Sequence, residues 1–234
     1  MIGLIPAGGK GSRLKELTTD IPKPLIMIGN RTLLENTIRN LESVGATKFV
    51  IGVRHKKEQI KKYLETLNVN AVVVEDKESP DNKCGLPWAI ISAKEYLKER
   101  FIMHLPDNIF TENYKYLVDL HERERPLVTL VIAQNMAREN WAEPVFKGNE
   151  LIDIVPAKAG IRWTLTGLTI HEPEYISYFE KIKPIKRLEL ENFQAIKLAL
   201  EDGQKICVVP LKGKRIDITD KDDYTKFKDF EYLW

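Results

Sequence analysis

The chain opens Ile2-Gly3-Leu4-Ile5-Pro6-Ala7-Gly8-Gly9-Lys10-Gly11-Ser12-Arg13-Leu14, a short apolar run that breaks into glycines and cations. An apolar run of this length, stopped by small residues, reads as a buried strand entering a loop. No hydrophobic period returns until about Arg31, and the stretch ends with Pro22-Lys23-Pro24-Leu25. A structureless segment of that length inside a compact domain is usually functional. Gly8, Gly9 and Gly11 let backbone N–H groups approach a ligand, while Lys10, Arg13 and Lys23 add cationic donors. That chemistry suits phosphates. A P-loop is excluded, because Gly9 is followed by Lys10 and Gly11 and the hydroxyl for magnesium is missing. The dinucleotide fingerprint is excluded too, since Leu14 stands where its third glycine belongs.

Beyond this loop, strand and helix patterns alternate. Leu33, Leu34, Ile38, Leu41 and Val44 mark one helical face, closed by Gly45. Residues 48–53 are strand-like, and Ile60, Tyr63, Leu64 and Leu67 mark a second amphipathic helix. Residues 71–75 form a third strand pattern, and Leu86, Ile90, Ala93 and Leu97 line a third helix. Residues 101–105 and 128–133 are further strands, flanking a helix near 114–121. Such alternation, with strands this apolar, implies a mostly parallel sheet covered on both faces. After Ala133 the rhythm changes: 141–172 reads as short strands and turns, 173–182 and 190–202 as helices. Strands at 205–210 and 214–218 precede a final helix from about Asp220. The expectation is one domain over 1–234, with a nucleotide-binding core in 1–135 and an acceptor lobe in 136–234.

Composition narrows the classes. Among 234 residues, 43% are apolar and 30% charged, above the ~25% charge of an average domain, which excludes disorder as the dominant state. No run approaches the ~18 apolar residues of a membrane span, and the N-terminus lacks a basic, signal-like segment. A cytoplasmic protein with no membrane partner is expected. A net charge of +2 is too balanced for a dedicated nucleic-acid binder. Cys84 and Cys207 match no metal spacing, and the histidines at 55, 104, 121 and 171 show no paired-ligand pattern.

The run Gly8-Gly9-Lys10-Gly11-Ser12-Arg13-Leu14, then Leu17-Thr18, then Pro22-Lys23-Pro24-Leu25 resembles the signature loop of sugar-1-phosphate nucleotidyltransferases. Gly85-Leu86, Leu105-Pro106-Asp107-Asn108, Thr166-Gly167-Leu168 and Ile216-Asp217-Ile218 agree in order. The resemblance implies a three-layer α/β/α, Rossmann-like, mixed but mostly parallel sheet with a smaller sugar-binding lobe. It implies joining of an NTP and a sugar-1-phosphate, with attack on the α-phosphorus and release of pyrophosphate.

By the same resemblance, Arg13 lies over the triphosphate and Lys23 near the α-phosphate. Ala7, Gly8, Gly9 and Gly11 border base and phosphates, Gly85 borders the base, and Asp107 and Asp217 hold Mg²⁺. Lys158 and Gly167 fall at the sugar-phosphate end, with Arg162 a rival to Lys158. There the chain departs from the family, reading Glu143-Pro144 and Val155-Pro156-Ala157-Lys158 where Tyr-Gly and Glu-Lys-Pro are usual. Trp141 and Trp163 read as lobe core or as a platform for a sugar ring. A pyrimidine NTP is the implied partner, and a homo-oligomer is left open. The chain length leaves no room for an added domain, so a monofunctional enzyme is expected. Two alternatives stay open: a cytidylyltransferase for phosphocholine or an inositol phosphate, and a nucleotide-binding regulator without catalysis.

Overall fold

A computed structural model describes residues 1–9, 11–76, 85–137, 142–183 and 192–232. β1 (Ile2–Pro6) leads through 3-10 segments Ser12–Thr18 and Lys23–Leu25 to the hairpin of β2 (Met27–Ile28) and β3 (Arg31–Thr32). There follow α1 (Leu33–Ser43), β4 (Lys48–Val53), α2 (Lys57–Leu67), β5 (Ala71–Glu75), α3 (Leu86–Ala93) and β6 (Phe101–His104). Next come β7 (Asn108–Phe110), α4 (Lys115–Glu124), β8 (Val128–Ala137), β9 (Ala142–Lys147), β10 (Glu150–Pro156) and β11 (Gly160–His171). α5 (Ile176–Lys181), α6 (Asn192–Glu201), β12 (Ile206–Pro210), β13 (Arg215–Asp217) and α7 (Lys221–Phe227) complete the order.

Nine strands form the main sheet in the order β5-β4-β1-β6-β11-β8-β12-β10-β9. β5, β4, β1 and β6 run parallel, as do β8 and β12. β11 opposes both β6 and β8, and β10 opposes β12 and β9. Among the described strands of this sheet, only β10 and β11 therefore run against the rest. The sheet is mixed and mostly parallel.

Its strands read as near-continuous apolar runs because both faces are buried. Successive side chains point to opposite faces. Leu4, Met103, Leu130 and Val208 pack on one face with α3, α5 and α6, through Ile90, Phe179 and Ile196 among others. Ile5, Ile102, Val131 and Val209 pack on the other with α1, α2 and α4, through Ile38, Ile60 and Leu117. The result is three layers.

The second half is more regular than its sequence suggests. β11 spans twelve residues and pairs with β8 from Gly160 to His171. A register shift between Leu165 and Thr169 changes the phase of its side chains, so the period-2 pattern breaks where the strand continues. β8 runs through residue 135, so the second half extends the same sheet.

A third, smaller core positions the functional loops. Leu14, Ile26, Ile28, Leu33, Ile109, Ile216 and Ile218 are buried together, with Tyr224, Phe227 and Phe230 packed against them. It joins the glycine-rich loop, the two-stranded ribbon β7–β13 and α7. That last helix starts at a capping box: Asp220 accepts from the Asp223 N–H, and Asp223 accepts from the Asp220 N–H.

Candidate functional site

The loops leaving the carboxyl ends of β1, β4, β5 and β6 enclose a cleft of about 460 Å³, where open α/β sheets bind ligands. Ala7, Gly8, Gly9 and Gly11 line it from the first loop, Gly85 and Ala89 from the start of α3, and Leu105, Pro106 and Asp107 from the loop after β6. Gly8 has a steric requirement: a Cβ there would lie 2.7 Å from Asp76 Oδ2. A larger residue would expel that carboxylate from the cleft.

Lys23 sits on a short 3-10 turn between extended Pro22 and buried Pro24. Both prolines restrict the backbone that carries it. Its Nζ donates to Asp107 Oδ2 at 2.6 Å, with only 14% of the lysine side chain exposed. Asp107 Oδ1 accepts from Asn108 Nδ2 at 2.9 Å. The loop is held from behind, since the Leu105 N–H donates to Gly167 O at 2.9 Å and the Gly167 N–H donates to Asn108 Oδ1 at 3.4 Å. A Cβ at Gly167 would fall 2.6 Å from the Leu105 side chain. Gly167 is thus buried behind Asp107 and lies outside the cleft lining, in a positioning place.

β7 and β13 pair antiparallel with Asn108 opposite Asp217, and the Ile218 N–H donates to Asp107 O at 2.9 Å. This ribbon carries Asp217 to within one register step of Asp107. Arg215, two residues earlier on the same strand face, donates from Nη2 to Asp217 Oδ2 at 2.8 Å and is 10% exposed. Burial raises the Asp217 pKa above the usual carboxylate value; Arg215 opposes the rise and the negative charge of Asp107 adds to it. The two carboxylates therefore feel each other, and each has its own internal cation, Lys23 or Arg215.

As a donor set, two hard carboxylates with mutual repulsion fit a hard divalent cation. No cluster of three His, Cys, Asp or Glu suited to a metal occurs among the described residues. A cation here would fill its remaining positions from phosphates and water, as Mg²⁺ characteristically does.

Arg13 is exposed on the 3-10 segment and lies outside the cleft lining. Its neighbour Leu14 anchors that segment in the small core. From outside, Lys56 Nζ donates to the Thr18 and Thr19 carbonyls, Gln59 Nε2 donates to Asp20 O, and Lys221 pairs with Glu16. Lys10, Cys84 and Trp141 lie outside the described residues. Cys207 is a buried thiol whose pKa is pushed up by burial.

Lys158 is exposed in the turn between β10 and β11, away from the cleft lining. Its rival Arg162 has Nε 3.7 Å from Glu143 Oε2. Trp163 packs edge-on to Phe146 at 5.9 Å, a core partner in the lobe. Burial keeps three histidines neutral: His104 is pushed down to about 4, His171 to about 3, and His121 downward beside Thr129 and Glu172.

Three ionisable cleft residues are not marked as site residues by the sequence: Arg54 and His55, which follow β4, and Asp76, which follows β5. Each sits just past the carboxyl end of a strand, the signal that could have found it. Burial pushes Asp76 up to about 6, and the charge of Arg54 offsets this only partly.

Residues 2–231 match the family model for nucleotidyl transferase. A UTP–glucose-1-phosphate uridylyltransferase of Haloferax volcanii is 26% identical over 227 residues, covering 93% of this chain and 91% of its own length. A mannose-1-phosphate guanyltransferase of Saccharomyces cerevisiae is 32% identical over 244 residues, covering 96% of this chain and 63% of its own. Bifunctional GlmU proteins of Methanococcus maripaludis and Methanocaldococcus jannaschii are matched over 51% of their length. The crystal structure of a UDP-glucose pyrophosphorylase complexed with UDP-glucose has a TM-score of 0.83 at 19% identity, over 97% of both chains, and has the same fold. Among the described residues no helix is long and apolar enough to cross a membrane. Because the family model spans residues 2–231, nearly the whole chain, the chain belongs to the nucleotidyl transferase family.

Proposed function

We propose that the protein joins a nucleoside triphosphate to a sugar-1-phosphate in the cytoplasm, giving a nucleotide-sugar and pyrophosphate. The observation that supports this most is the ribbon β7–β13, which brings Asp217 beside Asp107 at the end of a glycine-lined cleft. A phosphate monoester is largely dianionic above its second pKa of ~6, so the nucleophile needs no general base. One of its oxygens attacks the α-phosphorus in line; a P–O bond forms, the α–β bridging bond breaks, and its electron pair leaves with pyrophosphate.

The chain supplies position and charge. Backbone N–H groups of the glycine loop receive phosphate oxygens, Lys23 faces the α-phosphate, and Arg13 grips the outer phosphates from the rim with its planar fork. Asp107 and Asp217 would hold Mg²⁺, which when bound neutralises phosphate charge and orients its oxygens. At the acceptor end Arg162 already faces Glu143, which leaves exposed Lys158 to take the sugar phosphate.

Relatives carry uridylyl and guanyl transfer alike, so the choice of base rests with the cleft's own residues. The test is pyrophosphate release from GTP, CTP, UTP and dTTP, each with several sugar-1-phosphates, phosphocholine and inositol 1-phosphate. Turnover with a sugar-1-phosphate is expected. Turnover with choline or inositol phosphate alone would replace the acceptor, and nucleotide binding without turnover would refute the enzyme.

A further inference from the structure

We infer that Asp76 reads the nucleotide base and that the base is guanine, an inference that rests on the nucleotidyl-transfer reading. Asp76 lines the cleft with Gly8, Gly85 and Ala89. Its Oδ1 is buried and has no hydrogen-bond partner among the described residues. Its Oδ2 lies so near Gly8 that a Cβ there would touch it. Buried polar atoms are ordinarily satisfied, and an orphan at a ligand cleft points to a donor on the ligand. An ionised carboxylate only accepts hydrogen bonds, so it cannot serve the phosphates.

Strand order says which part of the nucleotide it meets. Asp107 follows β6 and Asp76 follows β5, with β1 and β4 between them. Three strand spacings set the two chain exits ~14 Å apart. With the α-phosphate at Lys23 and Asp107, the ribose falls near the middle of the row and the outer edge of the base reaches Asp76. The cleft, about 460 Å³, is large enough for a nucleotide base and its sugar.

The chemistry of that edge selects guanine. Guanine offers two adjacent donors, the ring N1–H and the exocyclic amino group, which match the two oxygens of one carboxylate. Uracil and thymine offer one N–H flanked by carbonyl oxygens. Cytosine and adenine set an acceptor nitrogen beside the amino group. Each of these puts a lone pair against an Asp76 oxygen. A bidentate contact of this kind discriminates by roughly 5- to 100-fold. Burial pushes Asp76 up to about 6 against the opposing charge of Arg54, so it is mostly ionised at neutral pH and available as this acceptor.

Isothermal titration of GTP, CTP, UTP, dTTP and ATP into the protein, with magnesium and no acceptor, tests the assignment at pH 7.5. GTP is expected to bind at least ~5-fold tighter than the others. Asp76→Asn presents one acceptor and one donor, the complement of cytosine or adenine; it should weaken GTP and strengthen CTP or ATP, with the melting temperature unchanged or higher. Asp76→Ala should erase the ranking without reversing it. Tighter binding of a pyrimidine nucleotide by the wild type overturns the assignment. So does an Asn variant that keeps the wild-type ranking or weakens all nucleotides alike. Pyrophosphate release with whichever nucleotide binds keeps the transfer reading alive in those cases, whereas a protein that binds none of the five loses both.

Discussion

Lys23 and Asp107 lie 84 residues apart in the chain, yet Nζ of one is 2.6 Å from Oδ2 of the other. The ammonium occupies a carboxylate oxygen that a divalent cation would need, so cation and lysine compete until a phosphate draws the lysine away. Lys23→Met should tighten Mn²⁺ binding in the absence of nucleotide by roughly 3- to 30-fold, the scale of one partly screened charge. It should also reduce turnover by on the order of 10²–10³, because a preorganised donor to the reacting phosphate is gone. A Mn²⁺ titration followed by electron paramagnetic resonance reads the first effect. An unchanged affinity would show that Lys23 does not screen the metal site.

Asp217→Asn keeps the shape of the side chain and an oxygen for Arg215, but removes the charge that burial and Asp107 disfavour. A loss of at least ~10² in rate is expected, since metal assistance contributes several kcal/mol. Stability should move the other way. The folded pKa of Asp217 is raised, so its neutral form stabilises the fold at low pH, and that contribution is lost as pH rises through the folded pKa. The variant should therefore match the wild type near pH 4 and melt higher near pH 7. Equal melting curves at both pH values would show that the two carboxylates do not interact.

The same sign applies to Asp76, where the folded pKa is about 6 against an ordinary value of 3.8. Wild-type stability without ligand should fall as pH rises between about 4 and 6, by up to ~2 kcal/mol after allowance for partial exposure. Arg54 and His55 line the same cleft. Thermal melts of wild type and Asp76→Asn across this range isolate the aspartate. A difference that does not change with pH would mean an ordinary carboxylate.

Gly167 and Leu105 form a coupled pair behind the metal loop. Gly167→Ala should cost ~1–3 kcal/mol and lower turnover, because the added methyl drives Leu105 and hence Asp107 out of place. Leu105→Ala in the same chain should restore part of the rate by making room. Failure of the double variant to exceed the single one in turnover would mean that Gly167 acts by direct contact with substrate.

The sequence was most readable where local pattern and burial coincide. β1, β4 and β5 occupy Ile2–Pro6, Lys48–Val53 and Ala71–Glu75, the positions of their apolar runs. The acceptor half was less legible, since the register shift in β11 disguises a twelve-residue strand as fragments. β7 and β13 have three residues each, and pairing of Asn108 with Asp217 cannot be seen in a linear pattern. Resemblance supplied both aspartates, while the i, i+2 spacing of Arg215 and Asp217 on a strand was a usable sign of an internal counter-ion. Asp76 depends on lateral strand order, which hydrophobic periodicity does not encode.

The Gly29 N–H donates to Lys228 O at 2.6 Å, and a Cβ at Gly29 would strike the Phe230 carbonyl. Together with the small core around Leu14, Ile109 and Ile216, this fastens the phosphate loop to the closing helix and leaves the main sheet as a separate apolar mass. Such a clasp has fewer buried contacts than the sheet and can open on its own. Heat inactivation should then precede melting: a warmed enzyme stops turning over while its sheet is intact, and recovers on cooling as the clasp shuts. On that outcome, working temperature would be set at the seam between the two ends of the described chain and away from the glycine-lined cleft.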